Sequence, residues 1–320
     1  MRKIYTIGEI LVEIMADKVG QTFTHPGVWN GPFPSGAPAI FIDQATKLGG
    51  QCGIISCVGN DGFGMLNIER LKADGVDVRG IRVLPHETTG SAFVTYHSNG
   101  ERDFIFNIKN AACGKLSAEH VNAELLQDCQ HFHVMGSSLF SFHMVNAVKK
   151  AAGIVKAHGG TLSFDPNIRK EMLNIPEMRD ALHYVLELTD IYMPSEGEVM
   201  LLSSQSTLDG AIAHYLKDGI KEVVVKRGDK GASYYSTDET IHIDSYSVDE
   251  VDPTGAGDCF GGAYIACRLQ GHSVPQALRY ANACGALAVT RRGPMEGTST
   301  FAEIDAFLHQ QQHLASVGAL

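Results

Sequence analysis

The chain has 320 residues, 44% hydrophobic and 19% charged, with 34 glycines and 11 prolines. This suits one large globular domain with a smaller appendage and excludes a disordered chain. A formal charge of −10, from 26 Lys and Arg against 36 Asp and Glu, argues against nucleic acid or an acidic membrane as partner, because both require basic clusters.

From the N-terminus, residues 3 to 7 read as a buried strand, and 9 to 15 continue it with Glu9 and Glu13 interleaved. Carboxylates on a buried strand call for a use. Residues 16 to 38, rich in Gly and Pro, read as irregular structure or short edge strands, and 39 to 48 as a helix stopped by Gly49-Gly50. A strand at 53 to 58, a loop at 59 to 64 and a helix at 65 to 73 follow. Runs at 90 to 97 and 102 to 108, joined by Ser98-Asn99-Gly100-Glu101, make a hairpin that joins the 9 to 35 region as a small second sheet. From 131 the alternation is regular: strands at 131–135, 161–165, 190–193 and 222–226, and helices at about 141–157, 176–188, 196–203 and 207–217. A hairpin covers 232–235 and 240–243, and helices close the chain at 258–270, 274–291 and about 301–312. Short apolar strands alternating with helices imply an α/β fold whose mostly parallel sheet is covered on both faces.

Seven cysteines (52, 57, 113, 129, 259, 267 and 284) include no C-x-x-C pair, so neither a disulfide framework nor a zinc site is indicated. Glu9 and Glu13 break the N-terminal apolar run, and no stretch approaches about 18 uncharged apolar residues. A cytoplasmic protein without a membrane partner is expected. His131 and His133 alternate on a strand without acidic companions and read as structural; Cys259 reads as a packing residue.

The most informative stretch is Asp252-Pro253-Thr254-Gly255-Ala256-Gly257-Asp258, followed by the apolar spacing of a helix. It reads equally as an ordinary capped helix or as an anion site, where unpaired N–H groups at a helix start hold a phosphate beside a carboxylate.

Four fragments carry a wider resemblance: Val58-Gly59-Asn60-Asp61-Gly62-Phe63-Gly64, Phe164-Asp165-Pro166-Asn167-Ile168-Arg169, Lys226-Arg227-Gly228-Asp229-Lys230-Gly231, and Asp252 through Ala263. In this order they resemble the ribokinase-like (PfkB-type) carbohydrate kinases over nearly the whole chain, nearest the tagatose/fructokinase and 2-keto-3-deoxygluconate kinase branches. The resemblance implies a single domain over 1–320, with a three-layer α/β/α core and a small β-sheet lid from about 9–35 and 88–112. It also implies ATP and Mg²⁺, K⁺ as a further ligand near Asp252, and a homodimer formed through the lid.

The site residues follow from the same resemblance. Asp258 is the base, its pKa expected to be lowered by the helix N-terminus, so that it accepts the proton late. The N–H groups of Gly255, Ala256 and Gly257 hold the phosphoryl oxygens. Glu13, Gly36 and Ala37 face the sugar, with Ile40 where the family usually carries Asn. Asn167 and Arg169 contact sugar or phosphate; a buried Arg169–Asp165 ion pair is the alternative. Ser195 and Glu198 serve the nucleotide and hydrated Mg²⁺, or else form a capping box. Lys226, Gly228 and Gly231 form the nucleotide loop, with Lys226 alternatively a solvated charge, and Asn282 flanks the adenine.

The acid-sugar kinases of the family place an arginine on the second lid strand, where this chain has Asn107. The expected reaction is therefore γ-phosphoryl transfer to the terminal primary hydroxyl of a neutral ketohexose, tagatose or fructose, with 2-keto-3-deoxygluconate as the alternative substrate. A dinucleotide-dependent oxidoreductase would carry its glycines after the first strand, and a non-catalytic sugar-binding regulator would have lost Asp258.

Overall fold

The computed structural model describes residues 3–99, 101–168 and 176–317. At the centre of a nine-stranded sheet lies β1 (Lys3–Ile7), whose Ile4 packs into one apolar cluster while Tyr5 and Ile7 pack into another on the opposite face. This is the period of two expected of a strand buried on both sides. Its parallel neighbours are β4 (Gln51–Gly59) and β8 (Cys129–Met135). Outside β4 lies β5 (Ile81–Leu84); outside β8, in order, come β9 (Thr161–Asp165), β10 (Ile191–Tyr192), β11 (Glu222–Lys226), β12 (Ala232–Tyr235) and β13 (Thr240–Ile243). Only the β11–β12 and β12–β13 pairs are antiparallel.

Helices cover both faces. On one side α1 (Ala37–Lys47), α7 (Ala256–Leu269) and α8 (Val274–Val289) bury Phe41, Phe260 and Leu278. On the other, α4 (Phe142–Ala157), α5 (Pro176–Glu187) and α6 (Leu208–Lys217) bury Val148, Leu182 and Ile212. The remaining helices are α2 (Gly62–Ala73), α3 (Ala123–Leu126) and α9 (Phe301–Val317). A second, four-stranded sheet has the order β3 (Trp29–Ser35), β2 (Leu11–Ala16), β6 (Gly90–Tyr96), β7 (Arg102–Asn107). The α/β class with a mostly parallel sheet and a small β lid therefore holds.

Three local expectations are corrected. The first strand does not run on to residue 15: the chain leaves the large sheet at Gly8, whose N–H still donates to Ile55 O at 3.1 Å, and resumes as β2 in the small sheet. Residues 196–202 form turns instead of a helix, because the Glu198 carboxylate is held by the N–H groups of Ser195 and Ile168. Residues 81–84, unassigned from sequence, add an edge strand through parallel pairing with β4.

Candidate active site

In open α/β sheets, ligands collect where the parallel strands end. Here β1 leads to Glu9, β8 to Ser137, β9 ends on Asp165 and β11 on Lys226, and all four residues line one cavity of about 980 Å³ beneath the small sheet. The cavity brings together Glu13, Gly36, Ala37, Asn167, Ser195, Glu198, Lys226, Gly228, Gly255, Gly257 and Asp258, which the sequence scatters over most of its length.

Its floor is built around the start of α7. Gly255 stands at the N-cap with φ 84°, and no side chain caps the helix. A Cβ at Gly255 would lie 2.5 Å from Pro294 O, so both the left-handed backbone and the close approach require glycine. The first-turn N–H groups are left as an anion cradle. Beneath the turn, buried Asp252 accepts from Thr254 N at 3.1 Å and Gly293 N at 3.0 Å, tying the cradle to the 293 loop.

Asp258, in the first helical turn, is half-buried at the cavity floor, and its pKa is pushed well above the usual carboxylate range. Burial is the main cause; the charges of Asp165, Glu9 and Glu13 add to it and Lys226 opposes it. The expectation of a lowered pKa is thus reversed. Desolvation and three like charges outweigh the helix dipole, whose effect is limited to about half a charge.

The walls are acidic and largely satisfied. Glu13, buried on β2, accepts from Ser35 Oγ at 3.1 Å. Glu9 accepts from Ser137 Oγ at 3.0 Å and Ser138 Oγ at 2.5 Å. Asn167 takes a positive φ of 37°, and its N–H donates to Asp165 Oδ1 at 3.2 Å. Glu198 Oε2 accepts from both Ser195 N and Ser195 Oγ, at 2.8 and 2.7 Å, and Oε1 from Ile168 N at 2.7 Å. Both Ser195–Glu198 side-chain bonds are donated by Ser195, so this is half of a capping box, without its helix.

Lys226 is not a solvated charge: its side chain is 15% exposed and forms an ion pair with Asp165. The carboxylate considered for Arg169 is therefore engaged by Lys226; Arg169 itself lies outside the described residues.

Other expected residues stand apart. Asn107 lines an adjoining cavity of about 640 Å³ with Asp61 and Thr88, and its Nδ2 donates to Ser91 Oγ at 3.3 Å. Asn282 donates to Ile243 O and Asp244 O, both at 3.1 Å, fastening α8 to the end of β13. Gly231, with φ 88°, closes the 228–230 turn against Ile243, and Ala256 is the first residue of α7. His131 and His133 are fully buried on β8 and share Ser163 Oγ as a partner, at 2.7 and 2.6 Å; burial lowers both pKa values. Burial pushes the Cys259 thiol well up, which suits packing rather than nucleophilic work.

Sequence reading missed Arg102, Asp103, Phe104 and Phe106, all on the cavity wall. Strand periodicity was the available signal for three of them: 102, 104 and 106 share one face of β7, and Asp103 and Asn107 fall on the other. Arg102 Nη1 donates to Thr254 Oγ1 at 2.9 Å, linking the small sheet to the cradle.

An acid at an open helix N-terminus, under a β lid and beside carboxylates able to hold hydroxyl groups, defines a lidded α/β phosphotransferase. Residues 1–300 match the pfkB family carbohydrate kinase, and the chain belongs to that family, a phosphotransferase with an alcohol group as acceptor. A protein from E. coli provisionally named ribokinase II, solved with ATP and Mg²⁺, is 74% identical, with 97% of this chain and 100% of that one covered at TM-score 0.94. Probable fructokinase-3 of Arabidopsis thaliana is 32% identical over 319 residues, covering 97% of this chain and 92% of that one. A fructokinase double mutant from Vibrio cholerae O395, with fructose, ADP and potassium bound, shares 28% identity and a TM-score of 0.84, over 96% and 98% of the two chains.

Proposed function

We propose that this carbohydrate kinase transfers the γ-phosphoryl group of ATP to the terminal primary hydroxyl of a ketohexose, fructose and tagatose being the first candidates. The observation that carries the reading is half-buried Asp258 at the uncapped start of α7, lining a cavity shared with Glu13 of the small sheet. Asp258 takes the hydroxyl proton, and its raised pKa suits a base better than an ordinary aspartate would. The N–H groups of residues 255 to 257 receive phosphoryl oxygens. Glu13 and Asn167 orient sugar hydroxyls, and the small sheet keeps out water that would compete for the phosphoryl group. Support for the nucleotide comes from the E. coli relative with ATP and Mg²⁺, and for the sugar from the fructokinase names.

Mg²⁺, when bound, neutralises charge on the phosphate oxygens. Glu198 fits it through water, since its oxygens already serve Ser195 and Ile168 and Mg²⁺ parts reluctantly with its hydration shell. Potassium beside Asp252 would share oxygens that accept Thr254 and Gly293 N–H; activation by K⁺ over tetramethylammonium tests it.

A second reading, a keto sugar acid, is favoured by Arg102. It enters the cavity from β7 and has no ion-pair partner among the described residues, while Asn107, on which the preference for a neutral sugar rests, lines the other cavity. ADP release with Mg-ATP across fructose, tagatose, ribose and 2-keto-3-deoxygluconate separates the readings. Turnover confined to the acid would overturn the ketohexose.

The same reading makes the chain a cytoplasmic homodimer paired through its lid. All seven cysteines are free and buried, and Phe104 and Ile105 are exposed on β7, the edge strand of the small sheet. Sedimentation of Ile105→Lys as a monomer, against a wild-type dimer, is the expected result.

A further inference from the structure

Among the described residues, six carboxylates line the cavity, Glu9, Glu13, Asp103, Asp165, Glu198 and Asp258, against two cations, Arg102 and Lys226. A phosphoryl group crossing this space carries negative oxygens past those acids, and the start of α7 opposes them with only about half a positive charge. A full positive charge from the protein, besides that of bound Mg²⁺, would offset them close to the transfer. Arg102 reaches in from the small sheet and is engaged with Thr254. Lys226 rises from the floor at the end of β11: a Cβ placed on Gly257 would stand 3.5 Å from its Nζ, so the ammonium lies against the first turn of α7, one residue from Asp258.

We propose that Lys226 is a catalytic residue of the transfer, presenting its ammonium to the moving phosphoryl group, and that Asp165 is the positioning residue that holds it there beforehand. This rests on the kinase reading above. The sugar oxygen bonds to the γ-phosphorus as the bond to the β–γ bridging oxygen breaks. That electron pair leaves with ADP, and the hydroxyl proton passes to Asp258. Lys226 keeps its protons and supplies only charge.

The pairing explains how a cation survives in such a place. Burial alone would strip a lysine of its proton; the carboxylates of Asp165 and Glu198 outweigh that effect and hold the Lys226 pKa up. The competing account is a structural ion pair that clips the ends of β9 and β11 together. Such pairs add little net stability, and removing both partners is often neutral.

The test compares wild type with Lys226→Met, Lys226→Arg and the double variant Asp165→Asn/Lys226→Met, which removes both members of the ion pair. With whichever panel sugar wild type accepts, Lys226→Met should lower kcat by about 10²- to 10³-fold, the scale of one lost donor to a developing negative charge. Its sugar KM should stay within about threefold, Lys226→Arg should recover part of the loss, and the folded double variant should remain slow. Calorimetry should show Lys226→Met binding ATP about tenfold more weakly while ADP binding is kept, since only ATP carries the γ-phosphoryl group. A double variant restored to within about threefold of wild-type kcat, or a single variant that weakens ATP and ADP equally, would overturn the proposal. Absence of any sugar turnover by wild type would count against the sugar-kinase reading alone, because the ATP and ADP comparison needs no sugar.

Discussion

Asp258 concentrates the physical chemistry of the site. Its carboxyl is half-buried among other acids, with Lys226 as the opposing charge, so its proton is held more tightly than at an ordinary aspartate. Asp258→Asn should lower kcat by about 10²- to 10⁴-fold, the usual contribution of a general base, with the far-ultraviolet circular dichroism unchanged. Turnover near that of wild type would strip the residue of its role. The pH profile carries a sign. A base must be unprotonated, so kcat/KM falls as pH drops through its pKa, and the acid limb should lie above the ordinary aspartate value of about 3.9. Glu13→Gln removes one of the charges that raise it, so the limb should move to lower pH even though weaker sugar binding lowers kcat/KM throughout. A limb that stays put or moves up would contradict the assignment.

Among the elements, α7 is the one whose placement matters most. Its N-terminus is set by Gly255, and its body lies close enough to α1 that a Cβ on Gly262 would strike Phe41 O. Gly255→Ala must place a side chain at φ 84° and 2.5 Å from Pro294 O. Strain of this kind costs about 1–3 kcal/mol. Lower stability in urea together with a lower kcat is expected, because the displaced turn carries both the cradle and Asp258. Unchanged turnover would show that the cradle tolerates the shift. For β7, register decided the outcome: Phe106 pairs with Ala92, both line the cavity, and Asn107 is carried to the opposite face. Arg102→Ala should raise sugar KM by about tenfold, with a larger loss for 2-keto-3-deoxygluconate than for fructose if the arginine meets a carboxylate, the usual cost of a lost charge-assisted bond being about 1.5–3 kcal/mol.

Over the whole molecule, the loop that supports the cradle is anchored by buried charge. Thr298 Oγ1 donates to Asp43 Oδ2 at 2.7 Å, and Arg70 bonds Met295 O at 2.7 Å, Glu296 at 2.9 Å and Asp74 at 2.6 Å, so α1, α2 and residues 293–299 are held as one unit. Burial raises the Asp43 pKa to about 7; Lys47 opposes this and Asp74 adds to it. The folded state therefore binds more protons than the unfolded chain between about pH 4 and 7, and stability from this group is lost as pH rises through that window. Asp43→Asn keeps an acceptor for Thr298 and removes the charge. Its melting temperature relative to wild type should become more favourable from pH 5 to pH 8, and a difference independent of pH would refute this.

Much of the fold was legible because its signals are local. Alternation of short apolar runs with helical spacing marked the parallel sheet, and the glycines of 252–258 marked a turn that only glycine can make. Chain order also placed Asp258 just inside a helix start. What a charge does once buried was not legible. Asp165 and Lys226 lie on separate strands, and no local pattern tells that they pair, that the pair sits against α7, or that neighbouring acids raise the Asp258 pKa instead of letting the helix lower it. The same holds for the face of β7 and for the turns at 196–202, which depend on a partner strand and on a carboxylate captured by Ile168. Sequence by itself determined the elements and the residue types at the cradle, since these follow from backbone sterics and side-chain period. Tertiary structure alone decided the electrostatics of the site, because burial and like charge act through space between residues that the chain keeps far apart.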